Sequence, residues 1–183
     1  MSTAAARPGA VVAITTSCAL AAALWLVFGV AWATPRHQIT GTVVGISDGD
    51  TVSLLDRERV QHRIRLLGID APEKRQPYGE RAKQHLARLA FSRPARAVCG
   101  RPDRYGRQVC QLFVDGEDVG LAQVREGFAW HYRQYQRDQV VEDRARYAEA
   151  EDEARAGRRG LWQDIRAVPP WEYRREAREH GAW

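Results

Sequence analysis

Three short β-prone runs, Ile39 to Ile46, Thr51 to Leu55 and Val60 to Leu67, follow one another with only Ser47-Asp48-Gly49-Asp50 and Asp56-Arg57-Glu58-Arg59 between them. Such spacing reads as a three-stranded meander. From Tyr78 to Phe91 the period changes: Ala82, Leu86, Leu89 and Ala90 recur at helical spacing with charges between them, and Pro94 stops the pattern. Two further strands are expected near Ala95 to Cys99 and Gln108 to Val114, with Asp115-Gly116 turning the chain out of the second. Asp118 can cap a short helix running to about Glu126, which Gly127 ends, and a long charged helix is expected from about Asp138 to Ala156. Three strands, a helix, two strands and then helices predict an α+β domain: a five-stranded barrel of the OB type with about three helices. At 183 residues the chain has room for one such core.

An uncharged stretch of 24 residues, Ala10 to Ala33, precedes this pattern. Without a polar face it does not belong to the soluble core. Ala31 and Ala33 around Trp32 form an A-x-A-like site, which predicts a signal peptide cleaved after Ala33. The run is also long enough to cross a bilayer as a helix of roughly 20 residues, so a single uncleaved membrane anchor is the alternative. The expected organisation is therefore a signal peptide or anchor over 1–33, a domain over 38–163, and a charged C-terminal tail over 164–183. Leu161, Trp162 and Trp171 are expected to dock that tail on the barrel. Either reading of the N-terminus puts the domain outside the cytoplasm, secreted, periplasmic or anchored, and leaves it touching a membrane only if uncleaved. In such a compartment thiols oxidise. Cys99 and Cys110 would face each other across a hairpin bent near Arg104, so a disulfide is expected, two free buried cysteines being the alternative.

The net charge of +5 comes almost entirely from Arg, whose planar fork suits phosphate, and points to a polyanionic partner. Three clusters refine this. Asp48-Gly49-Asp50-Thr51 sets carboxylates on a turn that opens a strand, which suits a hard cation, although Asp-Gly is also ordinary hairpin chemistry. In Arg65-Leu66-Leu67-Gly68-Ile69-Asp70-Ala71-Pro72-Glu73, strand alternation sends Arg65 away from Leu66. Pro72 extends Ala71 and holds Asp70 and Glu73 in a set relation; a charged loop entering a helix is the plainer reading. In Asp103-Arg104-Tyr105-Gly106-Arg107 a hairpin bend presents Arg104, Tyr105 and Arg107 together, a combination suited to a phosphate and a stacked base, or simply to solvent.

Taken in order, Asp-Gly-Asp-Thr-Val, Arg-Leu-x-x-x-Asp-x-Pro-Glu and Asp-x-Tyr-Gly-Arg make the chain resemble the staphylococcal nuclease family from about Ile39 to Trp162. The resemblance implies a calcium-dependent nuclease acting on DNA, RNA or both. It implies Ca²⁺ held by Asp50, Asp70 and the backbone carbonyl of Ala71, where the family's best-known member has Thr, with Asp48 nearby as an outer carboxylate. Glu73 falls where the family has the residue assigned as general base. Arg65 and Arg107 match the two arginines that bind the scissile phosphate. Tyr105, with Tyr132 or Tyr135, is the candidate for contacting the phosphate or stacking on a base. A monomer is expected. The alternative is a nucleic-acid-binding module that does not cut, since OB barrels often bind single strands. A mere binder of a polyanion gains nothing from Asp50, Asp70 and Glu73 beside its phosphate site, which favours the enzyme. Zinc is not expected, because the cysteines lack tetrahedral-site spacing and the five His are scattered.

Overall fold

Residues 36–181 are described by a computed structural model; the expected signal or anchor segment lies outside them. Among the described residues no helix is long and apolar enough to cross a membrane. In chain order the elements are β1 (His37–Ile46), β2 (Thr51–Asp56), β3 (Gln61–Leu66), β4 (Ile69–Asp70), α1 (Gly79–Ala90), β5 (Pro94–Cys99), β6 (Gln108–Val114), β7 (Glu117–Asp118), α2 (Val119–Arg125), β8 (Trp130–His131), α3 (Val141–Ala156) and α4 (Pro170–Glu179).

The meander is present, with β2 antiparallel to both β1 and β3. A register break between Val43 and Gly45 kinks β1, whose first half pairs with β5 while its second half pairs with β2. Strand β6 runs antiparallel to β5 and parallel to β3, closing a five-stranded barrel. Its interior takes every second residue: Val52 and Leu54 from β2, Ile64 and Leu66 from β3, and Leu112 from β6 are buried. The expected OB-type α+β architecture is the one observed. Three two-residue strands add to it: β7 extends from β6, and β4 pairs with β8.

Helix α1 turns Ala82, Leu86 and Ala90 inward, as its spacing predicts. The Asp118 carboxylate caps α2, accepting from the backbone N–H of Gly120 and Leu121. Gly127 follows at φ +71°, and a Cβ there would come within 2.3 Å of the Arg159 carbonyl oxygen, so only glycine fits the exit.

Two expectations need correction. The long helix starts at Val141, because a 3-10 turn ends at Asp138 and the backbone is extended at Gln139 and Val140. The described residues hold four α-helices where about three were expected, because the charged tail over 164–183 contains α4. Its start is marked by Pro170 at the first helical position, where a missing N–H costs nothing. Leu161 is buried, Trp162 packs edge-on against Trp130, and Trp171 stacks on Tyr132.

Candidate active site

The turn Ser47–Asp50, the end of β3 and strand β4 converge at one end of the barrel. Thr51 stands opposite Arg65 in the β2–β3 register, and the Leu66 N–H donates to the Asp50 carbonyl at 2.8 Å. This places the Asp50 carboxylate beside the Arg65 guanidinium. Asp70 reaches the same point from β4, whose pairing with Trp130 and His131 fixes its backbone. One nitrogen, Arg65 Nη2, lies 2.9 Å from Asp70 Oδ1 and 3.1 Å from Asp50 Oδ2. Asp50 Oδ2 also accepts the Ala71 backbone N–H at 2.9 Å, and Asp50 Oδ1 accepts the Thr51 hydroxyl at 3.0 Å. Asp48 Oδ1 accepts the Asp50 backbone N–H at 3.1 Å.

The carboxylates crowd one another. Burial, and then the charge of Asp50, pushes the Asp48 carboxyl up to about 7. Burial likewise raises Asp70, against the pull of the Arg174 and Arg65 guanidinium groups. Arg174 belongs to α4 and was not among the expected site residues. Its Nη2 donates to Asp70 Oδ2 at 2.7 Å, and its Nη1 donates to Glu73 Oε1 at 2.7 Å and to Asp70 Oδ1 at 3.3 Å. Burial opposes the Arg174 charge, but the hydrogen bonds and charges of Asp70 and Glu73 outweigh it and push its pKa further up.

Asp48, Asp50, Arg65, Asp70, Ala71 and Glu73 are thus brought together. The Asp103–Arg107 turn forms a separate unit. Arg107 Nε and Nη2 both lie 2.7 Å from Asp103 Oδ2, and the Asp103 Oδ1 accepts the backbone N–H groups of Tyr105 and Arg107. These bonds outweigh the effect of burial and hold the Asp103 carboxyl below its usual range. Among the described residues Arg107 makes no hydrogen bond to the carboxylate cluster. It lies two residues before Val109, the parallel register partner of Arg65, so strand alternation puts Arg65 and Arg107 on one face. Tyr105 is exposed, with the Arg104 and Arg107 guanidinium groups over its ring. Tyr132 adjoins the cluster: its N–H donates to the Gly68 carbonyl, and burial and then the Asp70 charge raise its hydroxyl pKa. Tyr135 tilts against Tyr132 at 4.9 Å.

Two supports were also missed. Buried Gln123 of α2 donates to the Gly49 carbonyl at 2.7 Å and to the Ala82 carbonyl at 3.1 Å, tying the acidic turn to α1. Gln76 Oε1 accepts the Glu73 N–H at 3.1 Å. Nothing in the sequence marked either residue.

Among the described residues no group of three or more His, Cys, Asp and Glu side chains is arranged as a ready metal site. The two Asp carboxylates that Arg65 gathers present oxygen donors, which suit a hard cation better than zinc.

A barrel carrying clustered carboxylates and arginines at one end is a design for handling phosphate esters. Residues 63–164, more than half of the chain, match the family profile described as "Staphylococcal nuclease homologue". The chain is 42% identical over 169 residues to "Protein ParB" of Escherichia coli, covering 87% of this chain and 90% of that one. It is 39% identical over 171 residues to "Micrococcal nuclease" of Shigella flexneri, covering 87% and 92%. Against an "Uncharacterized endonuclease" of Haemophilus influenzae the identity is 35% over 157 residues, covering 86% and 85%. The chain belongs to the staphylococcal nuclease family, and it is a nuclease.

Proposed function

We propose that the chain is an exported, calcium-dependent nuclease that hydrolyses phosphodiester bonds of DNA, RNA or both by attack of water on the phosphate. The observation that carries this reading is the convergence of Asp50 and Asp70 on a single nitrogen of Arg65. Asp50, Asp70 and the Ala71 carbonyl would hold the ion, with Asp48 adding charge behind them. When bound, calcium neutralises charge on the phosphoryl oxygens and orients the phosphate.

The chain's own groups supply the rest. Negative charge grows on the phosphoryl oxygens in the transition state, so guanidinium groups aimed there stabilise it more than the ground state. Arg65 and Arg107 take that role; the bonds to Asp103 leave the Nη1 hydrogens of Arg107 for phosphate. Glu73 accepts the proton of the attacking water, a contribution of about 10² to 10⁴-fold for a general base. Tyr105, Tyr132 and Tyr135 flank the path a strand would take, and Arg104 adds a phosphate contact. The disulfide joining Cys99 to Cys110 supports export, since such bonds persist in oxidising compartments.

Digestion of single-stranded DNA, double-stranded DNA and RNA with and without calcium tests the activity, alongside calorimetry of calcium binding by Asp50→Asn. Cleavage that needs calcium, and weaker calcium binding in the variant, are expected. Binding of nucleic acid without cleavage would sink the enzyme reading for this site. N-terminal sequencing of the exported protein tests localisation: a start at Thr34 means cleavage and a start at Met1 means an anchor.

A further inference from the structure

We propose that Arg174, on the C-terminal helix, is a third active-site arginine that positions Glu73 for proton transfer while bracing Asp70. This rests on the reading of Glu73 as general base. Arg174 lies 101 residues from Glu73 and 104 from Asp70 in sequence, and outside the segment that matches the family profile.

Its placement is built rather than incidental. Strand β4 carries Asp70, and the loop after it carries Glu73, whose side chain is one-third exposed and has several rotamers open to it. Arg174 spans the two with three donated hydrogen bonds. While the fork grips Asp70, its Nη1 also holds Glu73 by Oε1, leaving Oε2 to take a proton from water. The helix that presents Arg174 is itself held. Trp171, three residues earlier and therefore on the same face, stacks on Tyr132 at 5.3 Å and 10° and meets Trp130 edge-on at 6.5 Å. The Gln76 side chain donates to the Val168 carbonyl just before the helix, while its Oε1 accepts the Glu73 N–H. One glutamine thus ties the Glu73 backbone to the segment that delivers the arginine holding the Glu73 carboxylate. Pro170 is buried at the start of the same helix. An ordinary surface ion pair has none of this support, and would be worth little.

Arg174 acts through Glu73, which makes it a positioning residue and dictates the test. Steady-state kinetics of Arg174→Gln, Arg174→Lys, Glu73→Gln and the Arg174→Gln/Glu73→Gln double variant should be read with calorimetric calcium affinities and thermal unfolding followed by tryptophan fluorescence. For Arg174→Gln, kcat is expected to fall about 10- to 100-fold, the scale of a misplaced catalytic group, with KM within about threefold of the parent and calcium binding no tighter than the parent's. Arg174→Lys keeps the charge and stem but not the fork, so it should recover unfolding temperature and not kcat. The double variant should be no slower than Glu73→Gln alone, because positioning a base that has been removed has no effect.

Multiplicative losses in the double variant, or a change in KM alone, would overturn the proposal. So would tighter calcium binding with faster cleavage at low calcium in Arg174→Gln, which would make the helix a blocker of the site. If Glu73→Gln leaves kcat intact, the base assignment itself fails and takes this proposal with it. A fall in kcat with Glu73→Gln combined with independent effects sinks the Arg174 role alone.

Discussion

The side-chain amide of Gln123 donates to the carbonyl oxygen of Gly49, 74 residues earlier, at 2.7 Å. The same amide donates to the Ala82 carbonyl, and its oxygen meets His85 Nδ1. One fully buried residue of α2 therefore satisfies the acidic turn, α1 and a histidine together. Gln123→Leu leaves the buried Gly49 carbonyl without its donor and His85 Nδ1 without its partner, while the Ala82 carbonyl keeps its place in the α1 ladder, and should destabilise the protein by about 1–3 kcal/mol for each group left unsatisfied. Urea unfolding checks the stability, and calcium calorimetry checks whether the Asp48–Asp50 turn has loosened; an unchanged midpoint would refute the anchoring role.

Gly49 is constrained from its other side as well. A Cβ there would lie 2.6 Å from the Ala71 Cβ and 2.7 Å from the Ala82 Cβ, neither of which is the free end of a flexible side chain. Gly49→Ala should cost about 1–3 kcal/mol as an overpacked contact and displace Asp50 from Arg65, lowering activity. Adding Ala82→Gly removes one of the two clashes and should restore part of both. The test is whether the double variant is more stable than Gly49→Ala despite a second glycine in α1.

The three motifs were legible because each is a short run whose backbone is set by its own residues: a turn opening β2, the end of β3 running into β4, and the bend between β5 and β6. Alternation placed Arg65 on the face opposite Ile64 and Leu66, where it meets the carboxylates. Arg174 carried no comparable mark. It sits in the charged run Glu172-Tyr173-Arg174-Arg175-Glu176, and its role depends on where Trp171 docks, a contact made with a residue 39 positions earlier. Pro169-Pro170 was the signal for α4, and the charge around it hid the helix. Gln123 was similarly silent, since a glutamine gains meaning only from the buried carbonyls it meets. Long-range docking, which periodicity does not encode, separates what was read from what was missed.

Cys99 and Cys110 are register partners on β5 and β6, joined by a disulfide that closes the loop bearing Asp103, Tyr105 and Arg107. A loop of 11 residues' separation corresponds to about 3 kcal/mol of stabilisation by restriction of the unfolded chain. The Cys99→Ala/Cys110→Ala variant should lose stability on that scale and bind a phosphate-bearing substrate more weakly, because Arg107 hangs from the loosened hairpin. Denaturant unfolding with and without reductant measures the first effect; identical curves would contradict it.

His85 and His131 should make the fold acid-sensitive. Burial holds both imidazoles below their ordinary value of 6.5; Arg88 adds to this for His85 and Arg133 for His131, against hydrogen bonds from Gln123 and Gln139 and the charges of Glu126 and Glu151. His131 Nε2 bonds to Gln139 while its buried Nδ1 has no partner, so protonation would place an unsatisfied charged N–H in the interior. Because the folded pKa values are depressed, the unfolded chain binds more protons below 6.5. The stability these groups contribute is fully present above that pH and is lost as the pH falls through the folded values. The unfolding temperature should therefore be flat above neutrality and drop as the pH is lowered past 6.5. His131→Gln should flatten that drop, which differential scanning calorimetry across the pH series will show; an unchanged slope in the variant would assign the acid sensitivity elsewhere.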